Sequence, residues 1–337
     1  PISNTTTRLF FGSFAIGTQM PYVIDRYYEA NQADDDDWKE TPLKVIMNEP
    51  YPPFAEYSVA KYSDSLGEQV KGIICEQRGY AWNDANGDDF VILEFVLTNS
   101  GNQPVTGLYT GIFLDWDINT TNYADNGGTD ATRKMAYQYY GSTYMGSAII
   151  NPKRESNLIR NVSMIQNDQY VYPYVGLPDS IEIKFLNGTL SFPTAPTATD
   201  WSTCISSGPF DIPAGGSLKV AFAIAGGANL TQLQTHIDTA YARYWGILAE
   251  EKPISRPVFL RIYPTISSGE IYLSYMLPYN AKAEIKIMNP SGRIVKKLNS
   301  SLERNENIKK LNLKELPKGI YIIKVDTKNI SEKEKVI

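Results

Sequence analysis

The chain has 337 residues and a net charge of -5, with 42% hydrophobic, 12% aromatic and 20% charged residues. The length fits two domains, and the hydrophobic fraction is sufficient for a folded core. One histidine and two cysteines exclude multi-histidine zinc sites, four-cysteine zinc sites and iron–sulfur clusters, so the composition argues against a typical enzyme.

The first part of the chain contains a series of β-strand patterns, beginning with the β-branched and aromatic residues 5–16. Turn residues at 99–102 separate two of the strongest patterns and favour a hairpin. The predicted strands lie at residues 5–16, 72–78, 89–98, 110–116, 145–150, 158–164, 181–186 and 218–225.

The N-terminal strand pattern also bears on assembly, because it places Phe10, Phe11 and Phe14 close together. Exposed on a monomer, such a segment would be an adhesive edge strand. It is expected to pair either with a sheet of its own domain or, by strand addition, with a neighbouring copy. The second alternative predicts self-assembly into a homopolymer.

Two acidic loops contain the candidate metal ligands. Carboxylate and amide oxygens at alternate positions around glycine turns suit Ca²⁺, which takes 6–8 oxygen ligands. The first loop lacks the closing glutamate of an EF-hand. The candidate ligands are Asp84, Asn86 and Asp88 in the first loop, and Asp115, Asp117, Asn119, Asp125 and Asp130 in the second.

Two other interpretations of these loops remain open. Asparagine, aspartate and glycine are also the ordinary turn residues of a β protein. Alternatively, Asp115 and Asp117 could be the paired carboxylates of a glycosidase, although no other sequence feature supports that activity. Nucleophile-elbow, phosphate-loop, dinucleotide-binding and Cys-x-x-Cys motifs do not occur in the sequence.

One strong helix pattern follows the last of these strands. Asn229 followed by Gln232 is a capping box, and Pro253 ends the segment. His236 lies beside the apolar stripe, so a packing or surface role is expected for it rather than catalysis. The stripe consists of Leu230, Leu233, Ile237, Tyr241, Tyr244 and Leu248.

A sharp change in charge follows this helix. Residues 1–252 hold 16 Lys and Arg against 29 Asp and Glu, a net charge of -13, whereas residues 253–337 hold 16 against 8, a net charge of +8. Together with Pro253 and Pro257, this change predicts a domain boundary. The lysines of the basic part alternate along strands without interleaved aromatic residues, so nucleic-acid binding is not expected.

Short strands at intervals of 8–14 residues in the basic part predict a small immunoglobulin-like sandwich. These strands lie at residues 258–263, 269–275, 283–288, 293–298, 308–313 and 320–325.

Cys75 and Cys204 lie far apart in the acidic part. They are either one disulfide, formed in an oxidising compartment, or two buried thiols.

The basic part resembles the C-terminal sorting domain of type IX secretion substrates. The resemblance rests on Asn-Pro-Ser-Gly-Arg-Ile-Val at 289–295, Leu-Pro-Lys-Gly-Ile-Tyr at 316–321 and the closing residues 334–337. The entry motif differs from the usual Tyr-Pro-Asn-Pro, because Tyr-Pro-Thr-Ile stands at 263–266. The resemblance implies recognition by the secretion machinery, export across an outer membrane, and attachment at the cell surface or release.

Residues 1–252 more weakly resemble non-catalytic β regions of secreted subtilisin-like proteases, through segments 89–99, 111–118 and 207–216. No protease motif accompanies these segments, so the resemblance implies only a non-catalytic extracellular β domain.

The predicted fold is therefore all-β. It consists of a large jelly-roll-like sandwich with one C-terminal helix at 1–252, followed by the small sandwich at 253–337. No apolar run reaches the ~18 residues of a membrane helix, so no transmembrane segment is predicted. The predicted function is a secreted, non-enzymatic structural subunit of an extracellular assembly. The alternative is a calcium-stabilised accessory or binding module of a secreted hydrolase.

Overall fold

The structure is a computed structural model that describes residues 8–27, 36–41, 46–48, 54–174, 176–249, 259–263, 269–277, 281–302, 305–326 and 331–336. Among the described residues, strands predominate and helices are few, so the all-β prediction is confirmed. The chain divides into two compact units, Pro1–Ala249 and Glu250–Ile337.

The elements of the first unit follow the order of the chain. Its strands are β1 (Leu9–Gln19), β2 (Tyr22–Ile24), β3 (Lys39–Glu40), β4 (Ile46–Asn48), β5 (Glu56–Ser63), β6 (Ile73–Ala81), β7 (Phe90–Asn99), β8 (Val105–Trp116), β9 (Asn126–Asp130), β10 (Met135–Tyr140), β11 (Thr143–Asn151), β12 (Ile159–Gln166), β13 (Trp201–Ile212) and β14 (Ser217–Gly227). Its helices are α1 (Asn167–Tyr170), α2 (Asp179–Leu186) and α3 (Leu230–Ala249), with a 3₁₀ turn at Tyr172–Tyr174.

Two antiparallel sheets form a sandwich in this unit. Among the described residues, one sheet has the strand order β12-β13-β8-β1-β2, and the other has the order β3-β5-β6-β7-β14-β11-β10-β9, with β4 also paired to β5. Apolar side chains that alternate along the strands meet between the sheets. Phe14 of β1 stacks on Phe95 of β7 with ring centroids 3.7 Å apart, so the two sheets are in direct contact at the core.

The N-terminal strand is an interior strand of its own sheet. β1 pairs with β8 along Leu9–Gly17 on one side and with β2 on the other. The pairing with β8 covers Leu9–Gly17, whereas the pairing with β2 covers only Ile16–Gln19. Of the two alternatives predicted from the sequence, the structure shows pairing with its own domain, and strand addition along the edge of β1 that precedes Ile16 stays a prediction.

The outer face of the five-stranded sheet is covered by α2. Phe185 and Leu186 are buried there in a second apolar cluster with Phe113 and Cys204. Gly111 of β8 permits this close approach, because a Cβ atom at that position would lie 2.7 Å from Cδ2 of Leu186.

The strand predicted at 181–186 is wrong, because these residues belong to α2. Their alternating sequence Ile-Glu-Ile-Lys-Phe-Leu resembles a strand pattern. However, the carbonyl of Pro178 accepts hydrogen bonds from the amides of Ile181 and Glu182, at 2.7 and 2.9 Å, and this begins a helix. Burial of Ile183 and Phe185 against the sheet then outweighs the local β preference.

The helix predicted after Asn229 is confirmed as α3, which packs on the nine-stranded sheet. The capping box is formed in both directions: Asn229 Oδ1 accepts from the Gln232 amide at 2.9 Å, and Gln232 Oε1 accepts from the Ala228 amide at 2.8 Å. Leu233, Ile237 and Tyr244 of the predicted stripe are buried.

A segment without regular structure joins the two sheets along one side of the sandwich. The Met164 amide of β12 donates to the Phe192 carbonyl at 2.8 Å, and bridges join Thr194 to Gly128 and Thr199 to Asp125. This segment leads directly into β13 and so fixes the position of its first residues.

The second unit contains β15 (Phe259–Tyr263), β16 (Glu270–Leu277), β17 (Ala281–Met288), β18 (Ile294–Leu302), β19 (Asn305–Asn312), β20 (Tyr321–Asp326) and β21 (Ser331–Val336). They form sheets with the orders β15-β16-β19 and β18-β17-β20-β21. Buried residues from both sheets, among them Ile271, Leu273, Ile285 and Ile323, form one core. The six strands predicted in this part are confirmed.

Candidate metal centre

Three carboxylates meet where β8 ends and β13 begins. Asp115 lies near the end of β8, Asp117 follows that strand, and Asp200 directly precedes β13. Oxygen atoms from the three side chains all lie within 4.8 Å of one another. The strand register explains the meeting: Ser202 pairs with Asp115, and continuing this antiparallel register by two residues brings Asp200 level with Asp117.

Neighbouring side chains hold this carboxylate cluster in place. The amide nitrogen of Asn167 donates to Asp200 at 2.6 Å and to Asp115 at 3.4 Å. Its amide oxygen accepts from Ser202 at 2.6 Å, and the Tyr172 hydroxyl donates to Asp200. Asn167 is fully buried, so the orientation of its side chain is fixed.

Electrostatics in the cluster favour uptake of positive charge. Burial, together with the negative charges of Asp200 and Asp117, raises the pKa of Asp115 to about 8. Burial, together with the charges of Asp200 and Asp125, raises the pKa of Asp117 to about 6. The pKa of Asp200 is also raised, because burial outweighs its hydrogen bonds from Tyr172 and Asn167. Among the described residues, no lysine or arginine forms an ion pair with these three.

The donor set fits a hard cation. Each carboxylate offers two oxygens, and Ca²⁺ is bound in proteins by carboxylate, carbonyl and water oxygens. A cation at this position would be held by Asp115, Asp117 and Asp200, would neutralise their mutual repulsion, and would join the ends of two paired strands.

Two predicted ligands of the second loop lie beside the cluster but shape the turn. Asp125 is buried, and its carboxylate accepts from the amides of Ile118 and Asn119, at 3.0 and 2.9 Å. The Asn119 side chain donates to the Ala124 carbonyl at 3.3 Å and accepts from the Thr121 amide at 3.2 Å. The structure therefore places both residues next to Asp117 as turn-forming groups.

Asp130 lies outside the cluster. Its carboxylate accepts from Arg133 and from Gln234 of α3, each at 2.9 Å. Burial acts to raise the pKa of Asp130, but the hydrogen bonds from Arg133 and Gln234 lower it overall. The charge of this carboxylate is thus already balanced by an arginine.

The first acidic loop is also held by an arginine. Asp84 accepts two hydrogen bonds from Arg243 of α3, at 2.6 and 2.9 Å, and these lower its pKa. Its carboxylate also accepts from the Asn86 amide at 3.1 Å, while Asp88 is exposed. The Asp84 carboxylate is therefore engaged by an arginine, and calcium binding by Asp84, Asn86 and Asp88 stays a prediction.

Cys75 and Cys204 are both buried and both free. Cys75 lies in the core between the sheets, whereas Cys204 lies in the cluster on the other face of the five-stranded sheet, against α2. Because a sheet separates them, the disulfide alternative does not hold in this structure, and the two-thiol alternative does.

The single histidine has structural contacts. His236 Nδ1 lies 2.6 Å from the Gly226 carbonyl and Nε2 lies 3.4 Å from Asp89, so the ring joins α3 to the sheet.

A second group of carboxylates, formed by Asp25, Asp179 and Glu182, was not predicted from the sequence. Asp179 and Glu182 both belong to α2, and the distant Asp25, directly after β2, meets them because α2 packs on the sheet.

Residues 261–337 match the family described as the secretion system C-terminal sorting domain. The second unit is a type IX sorting domain. The match confirms the resemblance of the basic part to type IX sorting domains. Such a domain marks the protein for export to the cell surface or the extracellular space. Within the described residues, every helix is too short or too polar to cross a bilayer.

Beyond the sorting domain, similarity to known proteins is low. A polysaccharide lyase is 8% identical over 98% of this chain and 39% of the lyase, with a TM-score of 0.30. A bacterial glucoamylase complexed with acarbose is 9% identical over 70% of this chain and 31% of the glucoamylase, with a TM-score of 0.41. A BSP domain of a biofilm-associated protein is 10% identical over 98% of this chain and 72% of that chain, with a TM-score of 0.21.

The chain thus spans 39% of the lyase and 31% of the glucoamylase. All three TM-scores are too low to support an inference about function. None of the curated proteins compared with this chain matches it.

Proposed function

We propose that the first unit of this secreted protein is a calcium-stabilised, non-catalytic binding module that serves a secreted hydrolase. The observation that carries the proposal is the cluster of Asp115, Asp117 and Asp200, whose oxygen atoms lie within 4.8 Å of one another. Extracellular calcium sites commonly have dissociation constants of about 10⁻⁴–10⁻³ M, which suits a structural ion in an exported domain.

A stabilising role for the ion follows from the elements that the cluster joins. Asp115 lies near the end of β8 and Asp117 follows that strand. Asp200 directly precedes β13, next to the segment that connects the two sheets. A bound ion would therefore hold that side of the sandwich closed. Without it, the carboxylates must either repel one another or retain protons.

A non-catalytic role is supported by the surroundings of the carboxylates. Asn167 donates to Asp115 and Asp200, and the Tyr172 hydroxyl donates to Asp200, so two of the three carboxylates already have protein partners. The paired-carboxylate glycosidase is the competing hypothesis, since a raised pKa on Asp115 also suits a general acid. The proposal predicts that Asp115 variants lose their response to calcium. The glycosidase hypothesis predicts instead that they lose glycan hydrolysis.

We favour the binding module over the structural subunit of an assembly. In β1, the segment predicted to pair with a neighbouring copy, Leu9–Gly17 pair with β8 and Ile16–Gln19 pair with β2. Self-assembly through this strand would therefore be limited to the edge that precedes Ile16.

Calcium titration of the full chain tests the proposal. After removal of metal with a chelator, we expect Ca²⁺ to bind by calorimetry and to raise the melting temperature. The Asp117→Asn variant should lose both effects. Asp84→Asn is the matched control, because Asp84 was predicted as a ligand in the sequence but contacts Arg243. Identical melting of metal-free and calcium-loaded wild-type protein would overturn the proposal.

A further inference from the structure

A cavity of about 610 Å³ lies on the side of the sandwich opposite the connecting segment, between β1 and strands β3, β5 and β6. Its volume falls within the range of about 300–1,000 Å³ that is typical of ligand sites. The carboxylate cluster lies elsewhere, because none of Asp115, Asp117 and Asp200 lines this cavity.

Strand register brings the lining residues onto one face. Glu40 of β3 pairs with Tyr62 of β5, and Tyr62 pairs with Cys75 of β6, so their side chains point to the same side of the sheet. Gln77 lies two residues beyond Cys75 and points the same way, as does Trp38 relative to Glu40. Glu40, Tyr62, Gln77 and Trp38 all line the cavity.

The aromatic wall of the cavity is preformed. The Trp38 indole nitrogen donates to the Phe14 carbonyl at 3.1 Å, and its ring meets Tyr62 edge-on with centroids 4.8 Å apart. Phe14, whose ring centroid lies 6.2 Å from that of Trp38, is fixed by its stack on Phe95. Rings held in this way offer apolar contact area at little cost in conformational entropy.

Polar groups of both signs surround these rings. Glu40 and Lys61 line the cavity together, and Arg26 at the rim forms an ion pair with Asp36 at 2.9 Å. The Tyr62 hydroxyl donates to Gln77 at 3.0 Å. Because positive and negative groups are balanced, the cavity selects neither a strongly anionic nor a strongly cationic ligand.

We infer that this cavity binds a neutral sugar unit of a glycan, an inference that rests on the proposed binding function and names its ligand class. A sugar ring has an apolar C–H face that can pack on Trp38, and a rim of hydroxyl groups that can donate to Glu40 and exchange hydrogen bonds with Gln77. An aromatic wall with a few convergent polar groups matches both features.

Binding of the full chain to an array of neutral and acidic oligosaccharides, in the presence of calcium, tests the inference. We expect neutral oligosaccharides to bind, and Glu40→Gln to weaken their affinity about tenfold, because it removes the charge from one hydrogen-bonded partner. Trp38→Phe should also weaken binding and should abolish any ligand-dependent change in tryptophan fluorescence. The matched control is Glu56→Gln, an exposed glutamate of β5 outside the cavity.

The outcomes separate the two proposals. Neutral glycan binding that depends on Glu40 and Trp38 supports the inference. Glycan binding that is unchanged in both variants overturns the cavity assignment but leaves the binding module intact, and selective binding of acidic glycans overturns the ligand class. Absence of glycan binding in calcium-loaded wild-type protein overturns the inference together with the binding role proposed for the module.

Discussion

The ionisation of Asp115 and Asp117 should control how stability depends on pH. Burial raises their pKa values to about 8 and about 6, so the metal-free folded chain retains protons that the unfolded chain, with aspartate pKa values of about 3.9, has released. The free energy of unfolding therefore falls as pH rises from about 4 toward about 8, by about 1.4 kcal/mol per pH unit for each such proton. Thermal melts in chelator across this range measure the slope.

Calcium and two variants test the origin of this slope. Calcium displaces the protons, so its stabilising effect should grow with pH over the same interval. Asp115→Asn should flatten the slope of the metal-free protein. Asp130→Asn should leave it unchanged in this range, because the pKa of Asp130 is lowered. An equal slope in Asp115→Asn and wild-type protein would contradict the assignment.

Sequence reasoning could identify part of this cluster but not all of it. Asp115 and Asp117 stand at alternate positions at the end of a strong strand, which is a local signal. Asp200 joins them only through the pairing of β13 with β8, and no pattern near Asp200 in the sequence predicts that contact. Conversely, Asp130 has the residue type and spacing of a ligand, but Arg133 and Gln234 already bind its carboxylate.

At the scale of elements, α3 is held to the sheet by a buried polar contact that can be tested. The Tyr244 hydroxyl donates to Glu94 at 2.8 Å, and Glu94 is only 2% exposed. Tyr244→Phe removes this donor from a buried carboxylate, so unfolding in urea should require about 1–3 kcal/mol less free energy.

Tyr241 on the same helix is the matched control for Tyr244. Its ring packs against the Arg154 guanidinium, 4.2 Å from the ring centroid, and Tyr241→Phe preserves that contact. We expect Tyr241→Phe to leave the urea midpoint nearly unchanged. Equal effects of the two substitutions would show that the hydroxyl of Tyr244 contributes nothing specific.

The predictability of the helices differs for a physical reason. The sequence of α3 contains its own start signal in Asn229 and Gln232 and an apolar stripe of helical period, so local and tertiary preferences agree. The sequence of α2 alternates like a strand, and its helical state depends on Pro178 and on contact with β1 and β8. Such a contact cannot be seen from the sequence of the segment alone.

At the scale of the whole molecule, the opposite charges of the two parts accompany different tasks. The first part, with a net charge of -13, contains the carboxylate cluster and the cavity, and the second, with +8, contains the sorting domain. The charge change and the two prolines are visible in the sequence, as are the motifs of the sorting domain. The sheet order of the large sandwich cannot be read from the sequence, because it depends on which distant strands pair.

The sorting domain should fold without the rest of the chain. Its core is formed by its own residues, among them Ile271, Ile285, Ile287 and Ile323, which come from both of its sheets. A domain of this size buries a modest core, so we expect a cooperative but low-stability transition. Circular dichroism of residues 253–337 should show a β spectrum that melts cooperatively, and residues 1–252 alone should keep the calcium response. A disordered spectrum for the isolated residues 253–337 would contradict independent folding, since every described residue of that core belongs to the second unit.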